Sequence, residues 1–333
     1  MALSPPEPDF GDFRLAPGVR GRVRDDGRRI VVVGARGWIG RSALALLYEA
    51  LGREAFAERV ACFGSNAGSV DLENGFTAPQ RPLAELGGLE PKPTVLLHLA
   101  FLTKDKVAGM DPDAYAAANR ALSRQVLDAL GPIGTDRLFV ASSGAAAFAD
   151  DPGAAGDLKL YGALKREDEA LFAAWAEAQP DRRRAAVARI YSVSGPFINK
   201  HQAYALANFI LDALAGRPIE VRAPMPVLRS YVAVRELLSL ALALLLADDG
   251  PAAARFDTGG EALELGVVAQ AVAEVLGGTV VRRPISEAGE NRYVGDDEAW
   301  RTLLSRQRIL HLALPDQIRE TAAYLARATG GDA

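Results

Sequence analysis

Tyr161 and Lys165 stand four residues apart in "YGALK", so a helix drawn through them carries both side chains on one face. A phenol ordinarily titrates near ~10, and an ammonium beside it favours the phenolate, which makes such a pair a proton carrier at working pH. The spacing is common on amphipathic helices and carries no assignment alone. Three other stretches give it weight: "GARGWIG" at 34–40, "VASSGAA" at 140–146, and "YAAAN" ending at Asn119.

The glycine stretch lies between the apolar run "RIVVV" and the helical "RSALALLYEALG". Gly34 suits a tight turn, Gly37 a close approach of backbone to pyrophosphate, and Gly40 close packing of helix on strand. The helix that follows points the amides of Trp38, Ile39 and Gly40 and the positive end of its dipole at the phosphates. A ribose with a free 2′-hydroxyl calls for Asp or Glu about 20 residues on, at the end of the second strand. Here that strand ends "CFGSNAGS", with no carboxylate before Asp71. Ser65 and Asn66 offer donors and Arg36 offers charge to a 2′-phosphate, so NADP is the expected cofactor and NAD the other possibility.

These residues need a scaffold. Strands are expected at 29–33, in "RVACF", in "TVLLHLA" (94–100), at 137–143 and over 185–195. Helices are expected near 38–51, over 111–130 and from about Leu160. Runs that are apolar throughout rather than alternating mean burial on both faces, and strands alternating with helices mean a parallel sheet with helices on either side. The fold class is therefore α/β: a doubly wound parallel sheet followed by a smaller α/β C-terminal domain for substrate. The expected organisation is a leader over 1–28, a dinucleotide-binding domain over 29–195, and a mainly substrate-binding domain over 196–330 that crosses back to the core. The later part has helices at 203–215, 234–247 and 264–276 and strand-like "PIEVR" and "TVVRRPI". In the leader, "RDDGR" suits either a hairpin turn into the first strand or an arm.

The ordered set "GARGWIG", "HLA" (98–100), "YAAAN", "ASSGAA", "YGALK", "ARIYSVSGP" (188–196), "RSYVAV" (229–234), "FDTGG" (256–260) and "YVGDDEAWRTLL" (293–304) resembles the extended short-chain dehydrogenase/reductases, specifically their NAD(P)-dependent epimerase/dehydratase branch. The resemblance runs over residues 29–330 and implies a Rossmann-type sheet and action on nucleotide-linked sugars. It makes Tyr161 the general acid/base, gives Lys165 the nicotinamide ribose, and gives Ser143 the reacting oxygen, with Ser142 as the fallback register. Asn119 would steady the active-site helix, and Leu99, Ala100 and Phe101 would line the cofactor trough, with Tyr191 among the cofactor contacts. Thr103 would face either phosphate or substrate. Arg229 falls where the family places an arginine on a diphosphate, a role suited to a planar, multi-donor group. Ser192 replaces an asparagine that contacts substrate, Ser194 replaces a common tyrosine, and Asn199 lies in the expected substrate loop.

Gly144 and Ala145 occupy the places where sugar 4,6-dehydratases carry an Asp-Glu pair, which argues against water elimination. What remains serves movement of a hydride and a proton at one carbon, as in a 4-ketoreductase or a 4-epimerase. The other readings are reduction of a small non-sugar carbonyl compound and a non-catalytic NADP sensor.

Composition narrows the field further. With 333 residues, 49% of them apolar, the chain buries a sizeable core. A net charge of −4 with scattered basic residues excludes nucleic acid as the natural partner. Cys62 is the single cysteine and lies in an apolar run, so a reducing, cytoplasmic setting and an inert thiol are expected. "LLSLALALLLA" at 237–247 is too short for a membrane span, which takes roughly 20 residues. His98, His201 and His311 lack ligand spacing, so no metal is expected. Leu164, Leu171, Phe172 and Trp175 offer an apolar seam for a homodimer that pairs through 111–130 and 160–178.

Overall fold

The computed structural model describes residues 11–73 and 76–329. In chain order its elements are α1 (Pro17–Asp25), β1 (Arg29–Val33), α2 (Trp38–Arg59), β2 (Val60–Gly64), β3 (Gly68–Asp71), β4 (Thr77–Pro82), β5 (Thr94–His98), α3 (Pro112–Leu130), β6 (Thr135–Ser143), α4 (Gly156–Glu177), β7 (Arg184–Ile190) and β8 (Ser192–Ser194). There follow α5 (Ala205–Leu214), β9 (Ile219–Val221), β10 (Val227–Arg229), β11 (Tyr231–Ala233), α6 (Val234–Leu245), β12 (Ala253–Asp257), β13 (Leu263–Glu264), α7 (Leu265–Leu276), β14 (Val280–Arg282), β15 (Asn291–Tyr293), α8 (Asp297–Arg306) and α9 (Leu314–Thr329). The chain divides into two compact units, one of residues 1–190 and 238–256, the other of 191–237 and 257–333.

The first unit is built on an eight-stranded sheet in the order β12-β7-β6-β5-β1-β2-β4-β3. From β7 to β4 each neighbouring pair runs parallel, and β3 returns antiparallel on β4. One face of the sheet (Val31, Val33, Leu96, Leu138, Val140, Val187) is sealed by Val126 and Leu130 of α3 and by Phe172 and Trp175 of α4. Ile30, Val32, Leu97 and Phe139, which alternate with them, are buried as well. Burial of both faces is what the unbroken apolar runs require.

Three expectations need correction. The stretch 185–195 is not one strand: β7 stops at Ile190, and β8 pairs with β11 in a separate two-stranded sheet. Over its described part the leader is neither hairpin nor arm but a helix with Val19 and Val23 buried, tied down where Ser239 Oγ accepts from Ala16 N at 3.0 Å and Ala243 O from Arg22 at 3.2 Å. Its first ten residues lie outside the described ones. Finally, Leu164, Phe172 and Trp175 are buried in the chain's own core, so the seam expected from them is already filled. Cys62 is buried, which pushes its thiol up to about 12. Among the described residues no helix is long and apolar enough to cross a membrane.

In the second unit, β10 pairs with β13 and β15, β8 with β11, and β9 with β14. Helices α5, α7 and α9 pack on one another.

Candidate active site

The strand order reverses between β1 and β5, and in open parallel sheets ligands bind beyond the carboxyl ends of the strands at such a point. The "GARGWIG" turn leaves β1 there, and Leu99–Phe101 leave β5. Gly34 has φ +91°, and a Cβ on it would lie 2.7 Å from Ala100 N, so the two segments touch only because residue 34 is glycine. A Cβ on Gly40 would meet Gly34 O at 2.4 Å, which ties the close seating of α2 on the turn to that residue. Gly37 is the N-cap of α2, no side chain caps the helix, and its first turn holds no acidic residue. Arg36 and Gly37 are exposed at the tip of the turn. Backbone and dipole therefore suit a dinucleotide's pyrophosphate, with Trp38, Ile39 and Gly40 as the first helical residues.

Ser65 and Asn66 follow β2 and are exposed. Arg36 lies along the strand that follows them, its Nε donating to Ser69 O at 3.2 Å, and a Cβ on Gly68 would strike its Nη2. Among the described residues no carboxylate pairs with Arg36. Gln80 holds the loop from below, donating to Asn66 O at 2.8 Å.

The residues expected to do acid–base work lie around the ends of β5 and β6. Gly162, next to Tyr161, faces the turn after Ser143, and a Cβ there would lie 2.2 Å from Ala145 O. Ser143 Oγ in turn accepts from Ala145 N at 3.2 Å. Helix α4 thus approaches that turn as closely as backbone allows, with Tyr161 at the junction. Tyr161 is half-buried, edge-on to Phe101 with centroids 5.8 Å apart. Lys165 is 4% exposed; its Nζ donates to Ala141 O at 2.8 Å and sits 3.7 Å from the centre of the Phe101 ring. Burial lowers its pKa to about 8, against the opposing pull of Asp168 and Glu169. Phe101 therefore contacts both members of the pair. Asn119, 1% exposed, accepts from Leu102 N at 2.8 Å and donates to Tyr115 O at 3.2 Å, which ties α3 to the segment after β5. Thr103 is exposed, its hydroxyl on Asp105.

Ser142 is otherwise engaged. Its hydroxyl donates to Glu169 Oε1 at 2.5 Å, and Arg189 binds the same carboxylate at 2.9 and 2.8 Å. Asp168 accepts from Ser123 at 2.6 Å, and burial raises its pKa. The sequence reading gave Asp168, Glu169 and Arg189 no role, although Glu169 continues the four-residue spacing of Tyr161 and Lys165. His98 is buried with no hydrogen-bond partner at either ring nitrogen among the described residues, and burial together with Lys165 pushes it down to about 3, so it is neutral.

Tyr191, Ser192, Ser194, Asn199 and Arg229 from the sequence reading belong to the second unit. Tyr191 donates to Asp257 at 3.1 Å and packs on Tyr293. Ser192 and Arg229 line a cavity of about 170 Å³ with Ser194, Tyr204, Tyr231 and Thr321. Arg229 Nη1 donates to Leu228 O and Asn291 O at 2.7 and 3.1 Å, and its guanidinium stands 5.9 Å from the centre of the Tyr293 ring. No carboxylate among the described residues pairs with it, and burial lowers its pKa. Its contacts among the described residues are thus two carbonyl oxygens and an aromatic face. Ser194 hydrogen-bonds Gln317 at 2.7 Å, and Asn199 is exposed. No group of three or more potential metal ligands occurs among the described residues.

The NAD dependent epimerase/dehydratase family model matches residues 30–259. No curated protein matches the chain. Among solved structures, the chain is similar to the epimerase Mth375 from Methanothermobacter thermautotrophicus (17% identity, 93% of this chain and 96% of that one, TM-score 0.68). It is also similar to the UDP-N-acetylglucosamine 4-epimerase from Methanobrevibacter ruminantium M1 in complex with UDP-N-acetylmuramic acid (17%, 91% and 99%, 0.68). A third is the UDP-glucose 4-epimerase from Thermus thermophilus in complex with NAD (23%, 90% and 100%, 0.63). At these identities the likeness is one of fold.

Proposed function

Because the chain belongs to the NAD-dependent epimerase/dehydratase family, a family of enzymes, we propose that it moves a hydride and a proton at one carbon of a nucleotide-linked sugar, as a 4-ketoreductase or a 4-epimerase. The observation that carries this reading is the junction at Gly162, where the helix bearing Tyr161 and Lys165 meets the turn that follows Ser143. A nicotinamide dinucleotide, when bound, supplies reversible acceptance of the hydride. Tyr161 exchanges the proton of the reacting oxygen, Ser143 hydrogen-bonds that oxygen, and Lys165 keeps a positive charge near the phenol. With its hydroxyl on Glu169, Ser142 is left out of the role. The uncharged Gly144 and Ala145 favour transfer at one carbon over dehydration. Gly34, Gly37, Gly40 and the first turn of α2 take the pyrophosphate, and Leu99, Ala100, Phe101 and Lys165 complete the cofactor contacts. The test is a panel of UDP- and dTDP-hexoses and their 4-keto derivatives, offered with NADH and NADPH and followed by absorbance and product NMR. No turnover of any of them by folded protein removes the sugar reading.

Arg229 takes the substrate's diphosphate, with Ser192 and Asn199 as further substrate contacts. Loss of such a charge-assisted contact raises the apparent KM for the active sugar nucleotide roughly 10- to 100-fold in Arg229→Ala, with kcat little changed. An unchanged KM favours a small carbonyl substrate instead.

For the cofactor we propose NADP. The relative from T. thermophilus is in complex with NAD, but this chain has Ser65 and Asn66 where a ribose-binding carboxylate would stand, and Arg36 in the glycine turn. Arg36→Ala weakens NADPH binding about tenfold or more and leaves NADH binding unchanged, since only the former has a 2′-phosphate to lose. Fluorescence titration reads both constants, and tighter NADH binding by wild type reverses the assignment.

A further inference from the structure

Three successive residues at the end of β6 are held from outside the strand. Ala141 O accepts from Lys165 Nζ at 2.8 Å, and Ser142 Oγ donates to Glu169 Oε1 at 2.5 Å. Ser143 closes onto Ala145, whose carbonyl faces Gly162. Both Lys165 and Glu169 belong to α4, and with Tyr161 they form one row at four-residue intervals. From the other side, Arg189 is the direct register partner of Ser142 on β7 and grips the Glu169 carboxylate with two donors.

Glu169 is 6% exposed, so its carboxylate has been taken out of water, and only a full set of donors makes that tolerable. Ser142 and the Arg189 fork supply three. A buried ion pair of this kind adds little stability that well-packed apolar side chains would not, but it fixes direction, because a two-pronged guanidinium and a hydroxyl admit one carboxylate orientation. The place where direction matters is one residue away, at Ser143.

We propose that Glu169 is a positioning residue: through Ser142 and Arg189 its carboxylate locks the end of β6 to α4 and β7, and so sets where Ser143 and the Lys165 amine stand relative to Tyr161. The proposal rests on the acid–base reading above. It concerns residues that touch neither substrate nor cofactor. Slack at Ser142 passes to Ala141 O, from there to the amine bonded to it, and from the amine to the field at the phenol. That amine is also faced by Asp168 on α4 and by neutral His98 on β5.

The test compares Ser142→Ala, which removes one tie, with Ser142→Thr, which keeps the hydroxyl; Glu169→Gln is a third, harsher variant whose folding the serine pair does not depend on. The first readout needs neither cofactor nor substrate: phenol ionisation of Tyr161, taken as the ultraviolet difference titration of each protein against the same protein carrying Tyr161→Phe. The second is kcat and KM on the active member of the sugar-nucleotide panel. In Ser142→Ala the titration midpoint moves and kcat falls roughly tenfold at unchanged KM, the scale on which small misplacements of catalytic groups are felt. Ser142→Thr restores both to within about twofold of wild type. A soluble, natively melting Ser142→Ala protein with an unmoved midpoint overturns the proposal, and so does a loss that threonine does not restore. Turnover that survives Tyr161→Phe overturns the acid–base reading beneath it, which distinguishes the two failures.

Discussion

Tyr161→Phe binds dinucleotide as wild type does and turns over about a thousandfold more slowly, within the range that general acid–base catalysis supplies. The substitution removes one oxygen and keeps the ring. Its edge contact with Phe101 and its place in the apolar cluster of Tyr115, Ala116 and Leu164 therefore survive, and fold and cofactor affinity stay as they were. The expected loss is in kcat, with KM for the sugar nucleotide little changed, because the phenol handles a proton and does not anchor the substrate. Measured single-turnover rates close to wild type would end the reading of Tyr161 as the acid/base.

Lys165→Met has two effects of opposite sense. Turnover falls at least a hundredfold, since the positive charge beside the phenol goes with the amine. Stability moves the other way. Burial lowers the Lys165 pKa from the ordinary 10.5 to about 8, so between those limits the unfolded chain holds a proton that the folded chain has released. Wild-type stability therefore rises with pH from about 8 to 10.5, and this contribution is lost as pH falls back through 8. The size is on the order of 3 kcal/mol, from 1.4 kcal/mol per unit. Methionine has similar bulk and no charge to desolvate, at the cost of roughly 1 kcal/mol for leaving Ala141 O without its donor. Melting curves at pH 7 and pH 10 read the effect: the variant's advantage over wild type is larger at pH 7 and shrinks on going to pH 10. Parallel pH profiles for the two proteins would show that the amine is not held in a low-polarity setting.

Other groups near the lysine have shifted acidities too. His98 is neutral throughout the working range. Asp168 is a carboxylate whose pKa is raised by burial and whose Oδ2 has no hydrogen-bond partner among the described residues. It lies one turn along α4 from Lys165 and counters part of the lysine's desolvation.

How much was legible beforehand depended on how local the determining physics is. The glycine turn, the apolar strands β1, β5 and β6 and the helices α3 and α4 follow from patterns within a dozen residues, and the structure has them close to where the patterns lie. The hairpin of β3 and β4 was missed because "GSVD" and "TAPQRP" carry too few apolar residues to signal a strand; they are strands because they extend the edge of an existing sheet. Strand β12 was missed for a similar reason, since its place beside β7 is a long-range pairing. The helix at Pro17–Asp25 has a mean composition that reads as polar, and only burial of Val19 and Val23 identifies its inner face.

The amino-acid sequence alone determined the residues on offer: a phenol with a lysine one helical turn away, a glycine-rich turn between strand and helix, and no acidic residue at the end of the second strand. Residue type and short spacing decide those things, because a helix or a tight turn converts them directly into geometry. Tertiary structure decided which of two adjacent serines is occupied elsewhere, that Lys165 is buried deeply enough to change its acidity, and that Glu169 and Arg189 belong beside the site. Each of these depends on groups brought together from distant parts of the chain, where desolvation and hydrogen-bond partners exist only once the sheet and its helices have closed.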